Sequence, residues 1–173
     1  GCSIEFQGQT AKLIYTGAGD ALTISRSKNI TIRNLNLDMS GAGTSAIGIH
    51  AKGMWFTNIY DPVFLMKSSA SSQIAIWIET SVGGGDDFGS YVNRIQGINA
   101  NGVGTYAIGI KTSRTSGDIN QVTALTISGG WIANAGTSLS MDQTSTFRIE
   151  GTALSNGTNA VDVGNSSDGF VST

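Results

Sequence analysis

Short runs of alternating apolar and polar residues return along this chain at wide, similar intervals. The run reads ALTIS from Ala21, AIGIH from Ala46, AIWIE from Ala75 and AIGIK from Ala107. It returns weakened as SLSMD from Ser138 and AVDVG from Ala160, so successive starts lie 25, 29, 32, 31 and 22 residues apart. Alternation with period two marks a strand that buries one face. A strand returning at this spacing is the signature of a solenoid, in which each repeat buries its apolar face against its neighbours. With the runs aligned on their first residues, the inward ladders read Leu22/Ile24, Ile47/Ile49, Ile76/Ile78, Ile108/Ile110, Leu139/Met141 and Val161/Val163.

A second pattern follows each of these strands. Ile32-Arg33-Asn34 precedes Leu35, Phe56-Thr57-Asn58 precedes Ile59, and Ile95-Gln96-Gly97 precedes Ile98. Ile127-Ser128-Gly129 then leads to Trp131-Ile132, and Ile149-Glu150-Gly151 to Ala153-Leu154. The third position is Asn or Gly each time, the residues that tolerate the left-handed backbone of a tight corner. Each repeat therefore reads as three strands, with the corner between the second and third. The inward ladder of the second strand is Ile30/Ile32, Met54/Phe56, Leu125/Ile127 and Phe147/Ile149. Asn93, two residues before Ile95, breaks it, so either a bulge shifts the register there or Asn93 is buried and hydrogen-bonded. The long connections are 79–90, 111–121 and 62–73. Insertions on adjacent repeats wall a groove, which puts the candidate functional surface on repeats two to four. The same loops would also serve as ornament or as subunit contacts. The opening SIEF strand has no earlier strand to pair with, and a preceding segment or a partner is expected to cover that edge.

Composition narrows this picture. The 173 residues suit one domain, 1–173, expected to be a section of a longer protein. Only 13% of residues are charged, yet the recurring aliphatics are not a disordered composition. A net charge of −2 without a Lys/Arg cluster argues against a nucleic-acid partner, while leaving room for local patches of either sign. No apolar run is long enough for membrane insertion, and no basic-then-apolar leader opens the chain. The single Cys2 excludes an internal disulfide framework.

Outward positions of the repeated strand form two files under the same alignment. One reads Ser25, His50, Glu79, Lys111, Asp142, Gly164, a ladder of alternating charge that any polar sheet face would favour. Read as chemistry, Glu79 and Asp142 are a carboxylate pair two strands apart, about 9–10 Å between Cα atoms, near the upper end of the spacing of inverting glycosidases. Lys111 between them would lower both pKa values, which suits a base better than an acid. The second file reads Thr23, Gly48, Trp77, Gly109, Ser140, Asp162. There Trp77 lies between glycines, its indole open either to stack on a sugar or to pack under a loop or a neighbouring subunit. Asp86, Asp87 and Asp118 sit in the long loops, Asp118 near Arg114. Any of them could complete an acid/base pair with Glu79, or the three could gather on Ca²⁺, although no calcium-loop spacing supports a metal and solvated turns are the commoner outcome. Asp61-Pro62 reads as a turn. No GxSxG elbow accompanies His50, the only histidine, and GVGTYAIG lacks the ending of a phosphate loop. No cofactor is indicated.

Three-strand repeats of this length, Asn corners and stacked aliphatics resemble the right-handed parallel β-helix of the pectate-lyase-like superfamily. The opening AKLIYTGAGDALTISRSKNITIRNLNLD is similar in pattern to the β-helix of bacteriophage tailspikes. The resemblance runs from about Ile4 to Phe170 and implies an all-β solenoid of about six coils of three strands. It further implies a homotrimer in the virion tail, acting at the bacterial cell surface on surface polysaccharide. Tailspikes of this kind cleave polysaccharide with Asp/Glu pairs, whereas pectate lyases use Ca²⁺ and a basic residue. Neither set of active residues aligns on this chain. Three functions follow as expectations: a depolymerase, more in keeping with glycoside hydrolysis than with a lyase, using Glu79 with Asp142 or a loop Asp; a non-catalytic receptor-binding segment with Trp77, His50, Lys111 and Arg114 as contacts; or a structural section of a tail fibre.

Overall fold

The structure is a computed structural model that describes residues 2–7, 11–67, 71–81, 89–102, 104–116, 121–155, 157–164 and 167–172. Among the described residues it is all-β, and every strand pairing is parallel. The strands form two sheets. A six-stranded sheet holds Asp20–Ser25, Ile47–Lys52, Ile74–Glu79, Tyr106–Ser113, Ala135–Met141 and Asn159–Val163, each pairing with the next in this order. The remaining strands form a strongly curled twelve-stranded sheet. The chain alternates between the two, so neighbours in a sheet come from successive repeats. This arrangement is compatible with a β-solenoid.

The core is a set of apolar ladders. One runs Ile32, Ile59, Ile95, Ile127, Ile149 along the curled sheet, with the exposed Ile4 in register at its edge. A second, beyond the corner, runs Leu37, Phe64, Ala100, Ile132, Leu154. The corner residues between them have left-handed backbones: Asn34 at φ 55°, Asp61 at 51°, Gly97 at 68°, Gly129 at 64° and Gly151 at 56°. Asp61 is therefore the corner of the second repeat, and Asn58 is a strand residue. Ile59 holds the ladder position that Phe56 was expected to fill. Phe56 is instead 47% exposed, itself at φ 56°. The segment after Pro62 is the strand Val63–Met66, not loop. Asn93 takes the second of its two options: it is buried, its side-chain oxygen accepting the N–H of Thr57 at 3.1 Å and its amide donating to the Met54 carbonyl at 3.4 Å.

In the six-stranded sheet, the register departs from the alignment on first residues. Leu22 pairs with Ile49, Ile49 with Ile76, Ile76 with Ile110, and Ile110 with Leu139. The second and fourth strands are thus shifted by two residues from the expected alignment, which leaves Ile47 opposite Asp20 and Ile108 opposite Thr137. The simple alternation is broken as well. A side chain on Gly48 would meet the buried Phe64 ring, and one on Gly109 would meet the buried Ile132, so both positions face inward. Ala75 and Ser138, at the matching positions, are also buried. Each central strand therefore turns two consecutive residues inward, as at Gly48-Ile49, before alternation resumes with His50 outward and Ala51 inward. The steric reason is room: only small residues fit where the sheet passes closest to the opposite wall.

Candidate functional site

The corrected register rebuilds the outer face of the six-stranded sheet. Thr23, His50, Trp77, Lys111, Ser140 and Asp162 stand opposite one another in one file. Ser25, Lys52, Glu79 and Ser113 form the next. The expected charge ladder of Ser25, His50, Glu79, Lys111, Asp142 and Gly164 is thereby divided, because His50 and Lys111 belong with Trp77.

His50 is the centre of the arrangement. Its Nδ1 lies 2.8 Å from Asp20 Oδ2, and its Nε2 lies 3.1 Å from Glu79 Oε1. A neutral imidazole carries one N–H, so carboxylates at both nitrogens are satisfied together when the ring carries two, as imidazolium. The ring stacks on Trp77 with centroids 4.4 Å apart and planes inclined by 11°. From the opposite neighbouring strand, the Lys111 ammonium sits 4.1 Å from the Trp77 ring centroid. The indole is therefore held between the His50 imidazole and the Lys111 ammonium, with its Nε1–H donated to Ser113 Oγ at 2.8 Å. The glycines expected beside Trp77 face the core instead, and they leave no open space over the ring.

Glu79 is held ionised. Burial alone would raise its pKa, but the hydrogen bond and charge of His50, followed by Lys52, outweigh that and keep the carboxyl below the ordinary glutamate value of 4.5. Lys52 Nζ lies 3.3 Å from Glu79 Oε1. Asp142 follows the last residue of its strand, and its N–H donates to the Thr112 hydroxyl at 3.1 Å. Lys111, directed over Trp77, does not stand between the two carboxylates. Arg114 is exposed just past the end of its strand. Asp86, Asp87 and Asp118 lie outside the described residues. Among the described residues, no group of His, Cys, Asp and Glu side chains could hold a metal ion. Asp20 and Glu79 approach opposite edges of one ring and do not converge on a point.

Three members of this site were not among the candidates: Asp20, Lys52 and Ser113. The signal that would have found them is a file of small residues. Ala21, Gly48, Ala75, Gly109, Ser138 and Ala160 occupy one position in the observed register. Aligning the repeats on that file, rather than on their first alanines, puts His50 beside Trp77 and Lys52 beside Glu79. No protein family, curated protein or solved structure matches this chain.

Proposed function

We propose that the chain is a section of a right-handed parallel β-helix from a trimeric phage tailspike or tail fibre, and that its six-stranded face recognises bacterial surface polysaccharide. The observation that carries this reading is the braced stack of His50, Trp77 and Lys111. Side chains fixed in advance by Asp20, Glu79, Lys52 and Ser113 lose little freedom when a ligand arrives, which favours binding. Beside the stack, Thr23, Ser140 and Ser113 add hydroxyls to the files, and the Lys52 side chain, 37% exposed, adds a cation. Such a surface suits a hydroxylated, partly anionic chain, and recognition takes precedence over cleavage. An inverting hydrolase needs one carboxyl protonated as its acid, and Glu79 is held in the opposite state.

Cleavage is the second reading, favoured by one feature: Glu79 is a partly accessible carboxylate suited to act as base, with Asp142 roughly two strand spacings, about 9–10 Å, away. The test is to incubate the protein with purified capsule and O-antigen polysaccharides, measuring both binding and new reducing ends. Binding without new ends, weakened by Lys52→Met or Lys111→Met, is the expected result. New ends that disappear in Glu79→Gln would favour the second reading. Absence of binding to any of these polysaccharides would remove both.

A further inference from the structure

The three tryptophans of the chain meet different fates. Trp77 is held between His50 and Lys111. Trp55 has the Lys28 ammonium 3.9 Å from its ring centroid, the Tyr91 ring edge-on at 5.5 Å, and its Nε1–H donated to the Gly89 carbonyl. Trp131 is 40% exposed, and its Nε1–H is donated to Ser155 Oγ at 2.7 Å. Among the described residues no ring or cation lies against its faces.

Trp131 projects from the curled sheet. Its chain neighbour Ile132 points inward beneath Gly109 of the six-stranded sheet, so Trp131 points away from it. Across the strands its file reads Asn36, Val63, Asn99, Trp131, Ala153. Val63 is 37% exposed, and Leu65, on the same strand, is 39% exposed. Asn99 is exposed beside the indole, and Ala153 on the other side is too small to cover it. No member of the file is charged. Of the charged groups close by in the chain, Asp38 is paired with Lys12 and Glu150 with Arg148, while Asp61 lies at the corner beside Gly97.

We propose that Trp131, with Asn99 and Val63 on the strands beside it, is a second carbohydrate-binding surface, and that it takes uncharged sugar units. An indole face stacks on the C–H face of a pyranose, and an exposed amide supplies both a donor and an acceptor for its hydroxyls. Strands repeat at about 4.8 Å, close to the length of one sugar unit, so a glycan lying across them meets aromatic, amide and aliphatic positions in turn. An uncharged surface matches an uncharged ligand, because burying a charge against it would leave that charge unpaired. A second copy of the chain is the poorer occupant. A stable protein interface covers about 800 Å² on each partner around an apolar centre, whereas here Asn99 separates Trp131 from Val63. The proposal rests on the reading of this protein as a polysaccharide binder, and it adds a site on a different sheet with a different ligand preference.

The test measures binding of the full chain to a panel of neutral oligosaccharides built from glucose, galactose, rhamnose and N-acetylhexosamines, beside acidic ones. Trp131→Ala is expected to weaken neutral-glycan binding roughly tenfold or more, with acidic-glycan binding and melting temperature little changed. Trp131→Phe is expected to retain most of the affinity. If the wild type binds glycans and Trp131→Ala binds them equally well, this proposal fails and the polysaccharide reading stands. If the wild type binds nothing in the panel, both fail. A Trp131→Ala protein that loses self-association but keeps its glycan affinity makes the surface a subunit contact and overturns the proposal. Should that variant not fold, Asn99→Ala carries the test, and unchanged affinity for neutral glycans overturns it.

Discussion

At the scale of single residues, His50 and Glu79 define each other's state. The imidazole sits in a nearly closed position, with 5% of its side chain exposed, and the Glu79 carboxyl it faces is itself only 12% exposed. Replacing His50 with glutamine removes the ring nitrogens that face Asp20 and Glu79 while keeping a polar side chain. We expect His50→Gln to cost about 1–3 kcal/mol of stability, the usual penalty for a buried polar group stripped of its partner. The Glu79 pKa should rise as well, because burial then opposes ionisation with Lys52 alone to offset it. A carboxyl-carbon NMR titration of wild type and variant reads the shift directly, and an unmoved Glu79 would contradict the pairing. Asp38 gives a separate prediction. The hydrogen bond from Lys12 at 2.7 Å, followed by those from the Ser40 hydroxyl and N–H, lowers its pKa from 3.8 to about 2. A folded-state pKa below the unfolded one means that the ionised form stabilises the fold. That contribution is fully present above pH of about 4 and is lost as the pH falls through about 2. Thermal melts of wild type and Asp38→Asn should therefore differ most above pH of about 4 and converge near pH 2.

At the scale of the strand, the repeated motif located the elements and left their register ambiguous. A shift of two residues preserves the alternation of a β-strand, so Ile47/Ile49 satisfies the aliphatic pattern in either alignment. The corners were easier to read, since Asn34, Gly97, Gly129 and Gly151 all take the left-handed backbone that their chemistry tolerates. The second repeat was misread because Asn58 falls in a corner-like triplet while Asp61, equally tolerant of that backbone, takes the corner. The inward turn of Gly48, next to the inward Ile49, carried no apolar signal, because glycine has no side chain to show which way it faces. This leads to an opposite-sign test. If Gly48 faced solvent, Gly48→Ala would stabilise the strand by roughly 0.5–1 kcal/mol through lost backbone freedom. Facing inward, the added methyl would lie 2.7 Å from the Phe64 ring. We expect a loss of about 1–3 kcal/mol instead, measurable by urea denaturation.

At the scale of the whole molecule, the all-β class and the parallel, repeat-to-repeat pairing were legible because a strand that recurs along the chain writes its pairing into a period. The surface was less legible, since outward residues obey no packing pattern and depend on register for their neighbours. Glu79 and Asp142 keep their two-strand separation in the observed register, but Ser113 stands between them where Lys111 was expected, and His50 joins Trp77. Trp131 passed as one apolar residue after a corner, and only its neighbours in space show that its ring is left uncovered. The two surfaces proposed to face glycans lie on different sheets, with Trp77 marking one and Trp131 the other. Trp55, held by Lys28 and Tyr91, belongs to neither file. The three indole N–H groups offer three separate NMR probes in one spectrum. Titrating the ¹⁵N-labelled protein with capsule or O-antigen polysaccharide is predicted to move the Trp77 and Trp131 indole signals while that of Trp55 stays in place. A Trp77 signal that remains still at saturation, or a response confined to Trp55, would contradict the account.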